Sequence, residues 1–283
     1  MADQPRIPEE SIRAAVDGID KLDFIDGGGQ GDAWRMRRNG GDDEFLKVVV
    51  QAEAARVAQE IGTMQAVDSP NVMGFTEDGK LEHDGAVYPF IVGEYVDGQS
   101  IGARLDAGEW PDESQALAAV AGSLRGLAAL HEVDYVHRDY KPSNVALRDN
   151  DWDRPVLLDM GLVRDLLGDT ITVYPAVLGT VPFMASEQLR REPAVRRSDV
   201  FAAGVTLYFL LTREHPFLDQ GEPAVAIEVL EERINDSDWL RWNEVSVKDD
   251  VREVLKPMLR PNAYQRPRAA PAAEVIQSIL EAR

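Results

Sequence analysis

The sequence predicts an α+β fold, a small β-rich portion with one key helix followed by a larger helical portion. Three observations predict it. The run Glu44-Phe45-Leu46-Lys47-Val48-Val49-Val50 is short and rich in β-branched residues, as a strand requires. Directly after it, Val57, Ile61, Met64 and Val67 recur at three- and four-residue spacing, which predicts a helix over 52–67. Later the apolar period stays helical. Leu117, Val120, Leu124, Leu127 and Leu130 line one face of 113–133, and 198–211 is apolar enough to be a buried helix.

In chain order, residues 1–17 read as an accessory segment in which Ile7, Ile12, Ala15 and Val16 make a short apolar face. Asp26-Gly27-Gly28-Gly29-Gln30-Gly31-Asp32-Ala33-Trp34 follows. Its glycines permit positive φ and a close approach of backbone to phosphate, although an ordinary hairpin reads much the same. Lys47 stands alone in its apolar strand, and a buried ammonium needs a partner. Val156-Leu157-Leu158-Asp159-Met160-Gly161 is a short apolar strand ending in Asp-x-Gly. Thr170, Thr172 and Tyr174 place hydroxyls on an expected loop, and Pro193, Pro216, Pro257, Pro261 and Pro267 punctuate the helical remainder. Trp239 and Trp242 read as packing residues.

Composition excludes several classes. The chain has 283 residues, 44% of them hydrophobic, and 30 basic against 50 acidic side chains. So acidic a balance argues against nucleic-acid and anionic-membrane surfaces, both of which need excess Lys and Arg. It permits basic protein substrates. There are no cysteines, so disulfides, thiolate metal sites and cysteine nucleophiles are out. No run approaches the roughly 18 apolar residues of a membrane span. The opening Met1-Ala2-Asp3-Gln4-Pro5 lacks the pattern of a signal peptide, and a cytoplasmic protein is expected.

The chemistry concentrates in His137-Arg138-Asp139-Tyr140-Lys141-Pro142-Ser143-Asn144. A carboxylate, a cation and an amide oxygen within one proline-fixed turn suit phosphoryl transfer, which asks for positioning and charge neutralisation. The stretch resembles the catalytic loop of protein kinases, H-R-D-L-x-x-x-N, with Tyr140 in place of leucine. Over about residues 22–280 the chain resembles bacterial eukaryotic-like (Hanks-type) serine/threonine protein kinases. The resemblance implies a two-lobed protein-kinase fold: residues 18–96 as the N-lobe with the hinge, and 97–283 as the C-lobe.

By that resemblance Asp139 orients the substrate hydroxyl and takes its proton, and Lys141 stabilises the transferring phosphate. Lys47 holds the α- and β-phosphates and pairs with Glu60. Asn144 and Asp159 hold Mg²⁺, for which Mn²⁺ can substitute. Gly27, Gly28, Gly29 and Gly31 form the loop over the phosphates of ATP, and Asp26 departs from the family by replacing its first glycine. Glu94 and Val96 offer hinge backbone to adenine. Gly179-Thr180 to Glu187 resembles the close of an activation segment, with Glu187 pairing to Arg266, and Asp199 props the catalytic loop. Arg138 implies control by phosphorylation at Thr170, Thr172 or Tyr174. Expected partners are serine- and threonine-bearing proteins and a regulatory protein, without nucleic acid or membrane.

The adenine pocket departs most. Phe45 stands where the family has a small roof residue beside Ala33, and Ala146 where it has a leucine floor. Large-for-small above and small-for-large below roughly conserve volume, so adenine is expected to shift toward Ala146. Gly93, at the gatekeeper position, leaves a space for Phe75 to fill or for a bulky N6 substituent to enter. A spine of Phe75, Met64, Met160 and His137 is expected. The alternative is a pseudokinase, a regulatory binding module in which Phe45 fills the adenine site. A small-molecule phosphotransferase is disfavoured by the stretch from Gly179 to Glu187.

Overall fold

The computed structural model describes residues 4–28, 31–50, 54–158, 181–219, 222, 225–236, 239–240 and 247–283; the side chains of 28, 54–56, 59 and 60 are not part of that description. These residues fall into two compact units divided between Val96 and Asp97.

The first unit opens with α1 (Glu9–Ala15), whose first-turn Glu9 and Glu10 and last-turn Arg13 complement the helix dipole. Then come β1 (Ile19–Gly28), β2 (Gly31–Arg38), β3 (Asp43–Val49), α2 (Ala54–Ala66), β4 (Phe75–His83) and β5 (Ala86–Glu94). The strands form one antiparallel sheet in the order β1-β2-β3-β5-β4. Asp84 and Gly85 both have positive φ, the geometry of a type I′ turn, and join β4 to β5 by two residues.

Alternation sorts the side chains between two faces. Trp34, Met36, Leu46, Val48, Leu81, Phe90 and Val92 point to one face, where Ile7, Ile12 and Val16 pack on them. The amino-terminal segment is thus part of this unit's core. At about 1.5–3 kcal/mol for each fully buried large aliphatic side chain, Ile7 and Ile12 alone contribute several kcal/mol.

The second unit is mostly helical. Ser100 caps α3 (Ile101–Asp106), its hydroxyl accepting from the Ala103 N–H at 3.1 Å. Asp112 and Gln115 form a reciprocal capping box that starts α4 (Glu113–Glu132), and Leu117, Val120, Leu124, Leu127 and Leu130 on α4 are fully buried. A short antiparallel pair follows, β6 (Val145–Leu147) with β7 (Pro155–Leu157). The remaining helices are α5 (Ser186–Leu189), α6 (Arg196–Thr212), α7 (Ile227–Asn235), α8 (Asp249–Met258) and α9 (Ala269–Glu281). α4 packs against α6, α9 and β7, so the segment between α4 and β6 emerges from the most buried part of the unit. Among the described residues no helix is long and apolar enough to cross a membrane.

Candidate active site

Candidate residues occur in each unit. In the first, cross-strand register aligns Ala33 with Lys47 and Ile91, and Phe45 with Arg35 and Gly93. Opposed residues share a face, so Ala33, Phe45, Lys47 and Gly93 all lie on the sheet face away from the amino-terminal segment. Gly31 ends the glycine turn against β3, where a methyl group would lie only 2.0 Å from the Val48 carbonyl oxygen. Only glycine lets the two backbones approach this closely. Asp26 lies inside β1 and its Oδ1 accepts the Gly27 N–H at 2.8 Å, capping the near side of the turn.

The gatekeeper expectation needs correction. A methyl group on Gly93 would meet the Gly74 carbonyl oxygen at 2.6 Å and the Met73 terminal methyl at 3.4 Å. That carbonyl is fixed in place, accepting the Glu94 N–H at 2.8 Å. The space immediately beside the Gly93 Cα is therefore taken by backbone from the stretch before β4 rather than left open. Sequence alone hides this, since the path of residues 73–74 is a tertiary fact.

In the second unit, the turn at Asp139 is closed by its own side chains. Lys141 Nζ donates to Asp139 Oδ2 at 2.9 Å. Asn144 Nδ2 donates to the Asp139 carbonyl at 2.8 Å and to Oδ2 at 3.2 Å. The short turn Pro142–Asn144 makes this reach possible, with the Asn144 N–H donating to the Lys141 carbonyl at 3.0 Å. Two consequences follow for the oxygens. Asp139 Oδ1 is buried and has no hydrogen-bond partner among the described residues. Asn144 spends its amide hydrogens on Asp139, and an amide oxygen is a donor of the kind hard divalent cations take. Ala146 is buried in β6, opposite Val156 of β7, and the Leu158 N–H donates to the Asn144 carbonyl at 2.9 Å.

Asp199, in the first turn of α6, fixes the loop from beneath. It is 1% exposed, and its carboxylate accepts the N–H groups of His137 (2.9 Å) and Arg138 (2.8 Å) and meets His131 Nε2 at 2.8 Å. Arg138 has φ +68°, a left-handed conformation that non-glycine residues avoid unless held. The Gln188 amide completes the hold by donating to the Arg138 carbonyl at 2.9 Å. The Arg138 guanidinium is exposed and has no partner among the described residues.

The expected ion pair between Glu187 and Arg266 is present and bidentate, at 2.7 and 2.9 Å. Burial works against the Glu187 charge, but Arg266 and the Ser198 hydroxyl at 2.6 Å outweigh it and hold the carboxyl below its ordinary pKa. Sequence reasoning missed His215. Its Nε2 donates to the Pro182 carbonyl at 3.0 Å, while Nδ1 accepts the Phe217 N–H at 3.1 Å, and burial pushes its pKa down to about 4. Asp32 was also missed, though its place alternating with Trp34 and Met36 is a signal that it faces the core.

Other expected residues lie outside the described residues: Gly29, Asp159, Met160, Thr170, Thr172, Tyr174 and the Gly179-Thr180 pair. Glu60 falls within α2 with its side chain undescribed. Val96, half the expected hinge pair, is the last residue of the first unit.

Residues 28–278 match the protein kinase domain family. A probable serine/threonine-protein kinase of Streptomyces coelicolor is 33% identical over 180 residues, 63% of this chain and 26% of the relative. The serine/threonine-protein kinase PknB of Mycobacterium leprae is 31% identical over 214 residues, covering 74% and 34%. PrkC of Bacillus subtilis, a serine/threonine-protein kinase, is 30% identical over 214 residues, covering 76% and 30%. The matched stretch thus spans only about a quarter to a third of these curated relatives.

Proposed function

The chain belongs to the protein kinase domain family, and from that premise we propose that it transfers the γ-phosphoryl group of ATP to serine and threonine hydroxyls of proteins. The observation that carries the reading is Asp139. Its Oδ2 is occupied by Lys141 and Asn144, while Oδ1 is desolvated and unpartnered, a lone pair kept for an incoming hydroxyl. A buried acceptor left unmade costs about 1–3 kcal/mol, a cost that a substrate O–H removes on binding.

The roles follow from position. Asp139 orients the hydroxyl and takes its proton as the oxygen attacks phosphorus. The Lys141 ammonium, held within 2.9 Å of that carboxylate, balances charge on the phosphoryl group. Lys47, on the sheet face shared with Ala33 and Phe45, serves the α- and β-phosphates, with Glu60 of α2 as its partner. Asn144 Oδ1 and the Asp159 carboxylate would hold Mg²⁺, or Mn²⁺ in its place; such an ion, when bound, neutralises phosphate oxygens. Arg138, with its guanidinium exposed and its backbone clamped to Asp199, suits a phosphate on Thr170, Thr172 or Tyr174, which makes autophosphorylation the expected activating event.

The binding-module alternative has no support: the relatives are named as kinases, and the base, cation and amide stand in one hydrogen-bonded turn. The test is phosphate transfer from γ-labelled ATP to a basic protein, with phosphosite mapping, on the wild type and on Asp139→Asn. General-base removal should lower turnover about 10²–10⁴-fold while ATP affinity stays within about twofold. Undiminished transfer by the variant would remove Asp139 from this role.

A further inference from the structure

The core-facing side of β2 carries an unusual charge. Asp32 follows Gly31 directly, pairs across the hairpin with Gly27, and is fully buried. Three donors converge on its carboxylate, all from the amino-terminal segment. The Arg6 N–H lies at 2.6 Å and the Ile7 N–H at 2.8 Å from Oδ2, and Arg6 Nε lies 3.1 Å from Oδ1. Beyond this clip the segment is anchored along its length. Ile7, Ile12 and Val16 enter the core with Trp34 and Met36. Ser11 Oγ meets His83 Nδ1 at the end of β4 (3.1 Å), and Arg13 reaches the Ile19 carbonyl (2.8 Å).

A buried carboxylate is tolerated only with its donors in place; without them it must reach water. Here the donors come from Arg6 and Ile7, so the carboxylate at the start of β2 ties that strand end to the amino-terminal segment. Gly31 itself is pressed against the Val48 carbonyl of β3. Gly31 and Asp32, at the start of β2, are therefore held between β3 and a segment that precedes the sheet.

We propose that residues 6–16 act as a brace that sets the glycine turn in its nucleotide-binding position, with Asp32 as the positioning residue. This rests on the kinase reading, since it assigns the turn to the phosphates of ATP. The brace contributes to affinity without touching the reacting atoms. Loss of it lowers the fraction of molecules with the turn in place, and apparent affinity falls by that fraction while the chemical step is spared.

The test is direct binding of a fluorescent Mg·ATP analogue, together with steady-state KM and kcat, on the wild type, Asp32→Ala, Asp32→Asn and Arg6→Ala. Asp32→Ala should weaken nucleotide binding and raise the KM for ATP about tenfold, with kcat at saturating ATP within about twofold. Asp32→Asn retains an acceptor oxygen and should fall between Asp32→Ala and wild type. Arg6→Ala, which keeps both backbone donors, should weaken binding about two- to threefold, and it decides the matter if Asp32→Ala does not fold. Hydrogen exchange at the amides of residues 31–34 should quicken in the same order. Nucleotide binding equal to wild type in the folded variants, even with lowered melting temperatures, would overturn the brace and leave the kinase reading standing. A wild-type chain that binds no Mg·ATP overturns both.

Discussion

Consider replacing Arg266 by alanine. The side chain is buried and makes five hydrogen bonds. Two go to Glu187, and three to the carbonyls of Arg260 (2.6 Å), Pro261 (2.7 Å) and Arg197 (3.1 Å). Its guanidinium also lies over the Phe201 ring, 4.8 Å from the centroid. Breaking a buried ion pair from one side costs about 3–5 kcal/mol, because the surviving charge is stranded. Glu187 would keep Ser198 but lose its counter-charge, and three carbonyls would lose a donor. The expected cost is therefore at the upper end, about 5 kcal/mol. At about 2–4 °C per kcal/mol for a unit of this size, Tm should fall by about 10–20 °C.

The reverse substitution separates charge from scaffold. Glu187→Gln leaves Arg266 its three carbonyls and an amide oxygen, so it should cost less than half as much. Thermal melting by near-ultraviolet circular dichroism at neutral pH checks both. Equal losses for the two variants, or less than about 1 kcal/mol for Arg266→Ala, would refute the claim that the arginine is the hub and the carboxylate its client.

Two further predictions follow. His215 is held neutral by burial, with its pKa near 4 against 6.5 when free, so the unfolded chain binds the extra proton between those values. Its contribution is complete above pH 6.5 and is lost as pH falls toward 4; at about 1.36 kcal/mol per pH unit the gap bounds the loss at about 3 kcal/mol. Urea titrations of His215→Gln across that window should show a shallower decline in stability than wild type. Gly93→Ala should cost about 1–3 kcal/mol by overpacking against the Gly74 carbonyl. For the same reason ATP analogues with bulky N6 groups should be poor substrates of the wild type, and ready use of them would show that Gly74 yields.

Much of this was readable in the chain because it is local. Asp139, Lys141 and Asn144 sit within six residues, and a proline-started turn folds them onto one another whatever surrounds them. The period of Leu117 through Leu130 likewise announces α4. Two pairings at longer range, Asp199 under the loop and Glu187 with Arg266, came from the kinase resemblance, since no local signal links residues 79 positions apart. What stayed hidden depends on where a distant backbone passes. Gly93 invites a guess about empty space until the Gly74 carbonyl is placed beside it. Asp32 reads as a loop carboxylate until Arg6 and Ile7 arrive from 25 or more residues away. His215 gives no period or motif to notice, and only the carbonyl of Pro182 reveals its work.

The place of β1 at the rim of the sheet has a practical corollary for anyone cutting the gene. A fragment begun at the glycines would discard β1 and α1 together, baring Trp34 and Met36 and turning β2 into a raw border with unpaired amides. Such a truncation would keep every residue that handles phosphate and still invite edge-to-edge aggregation.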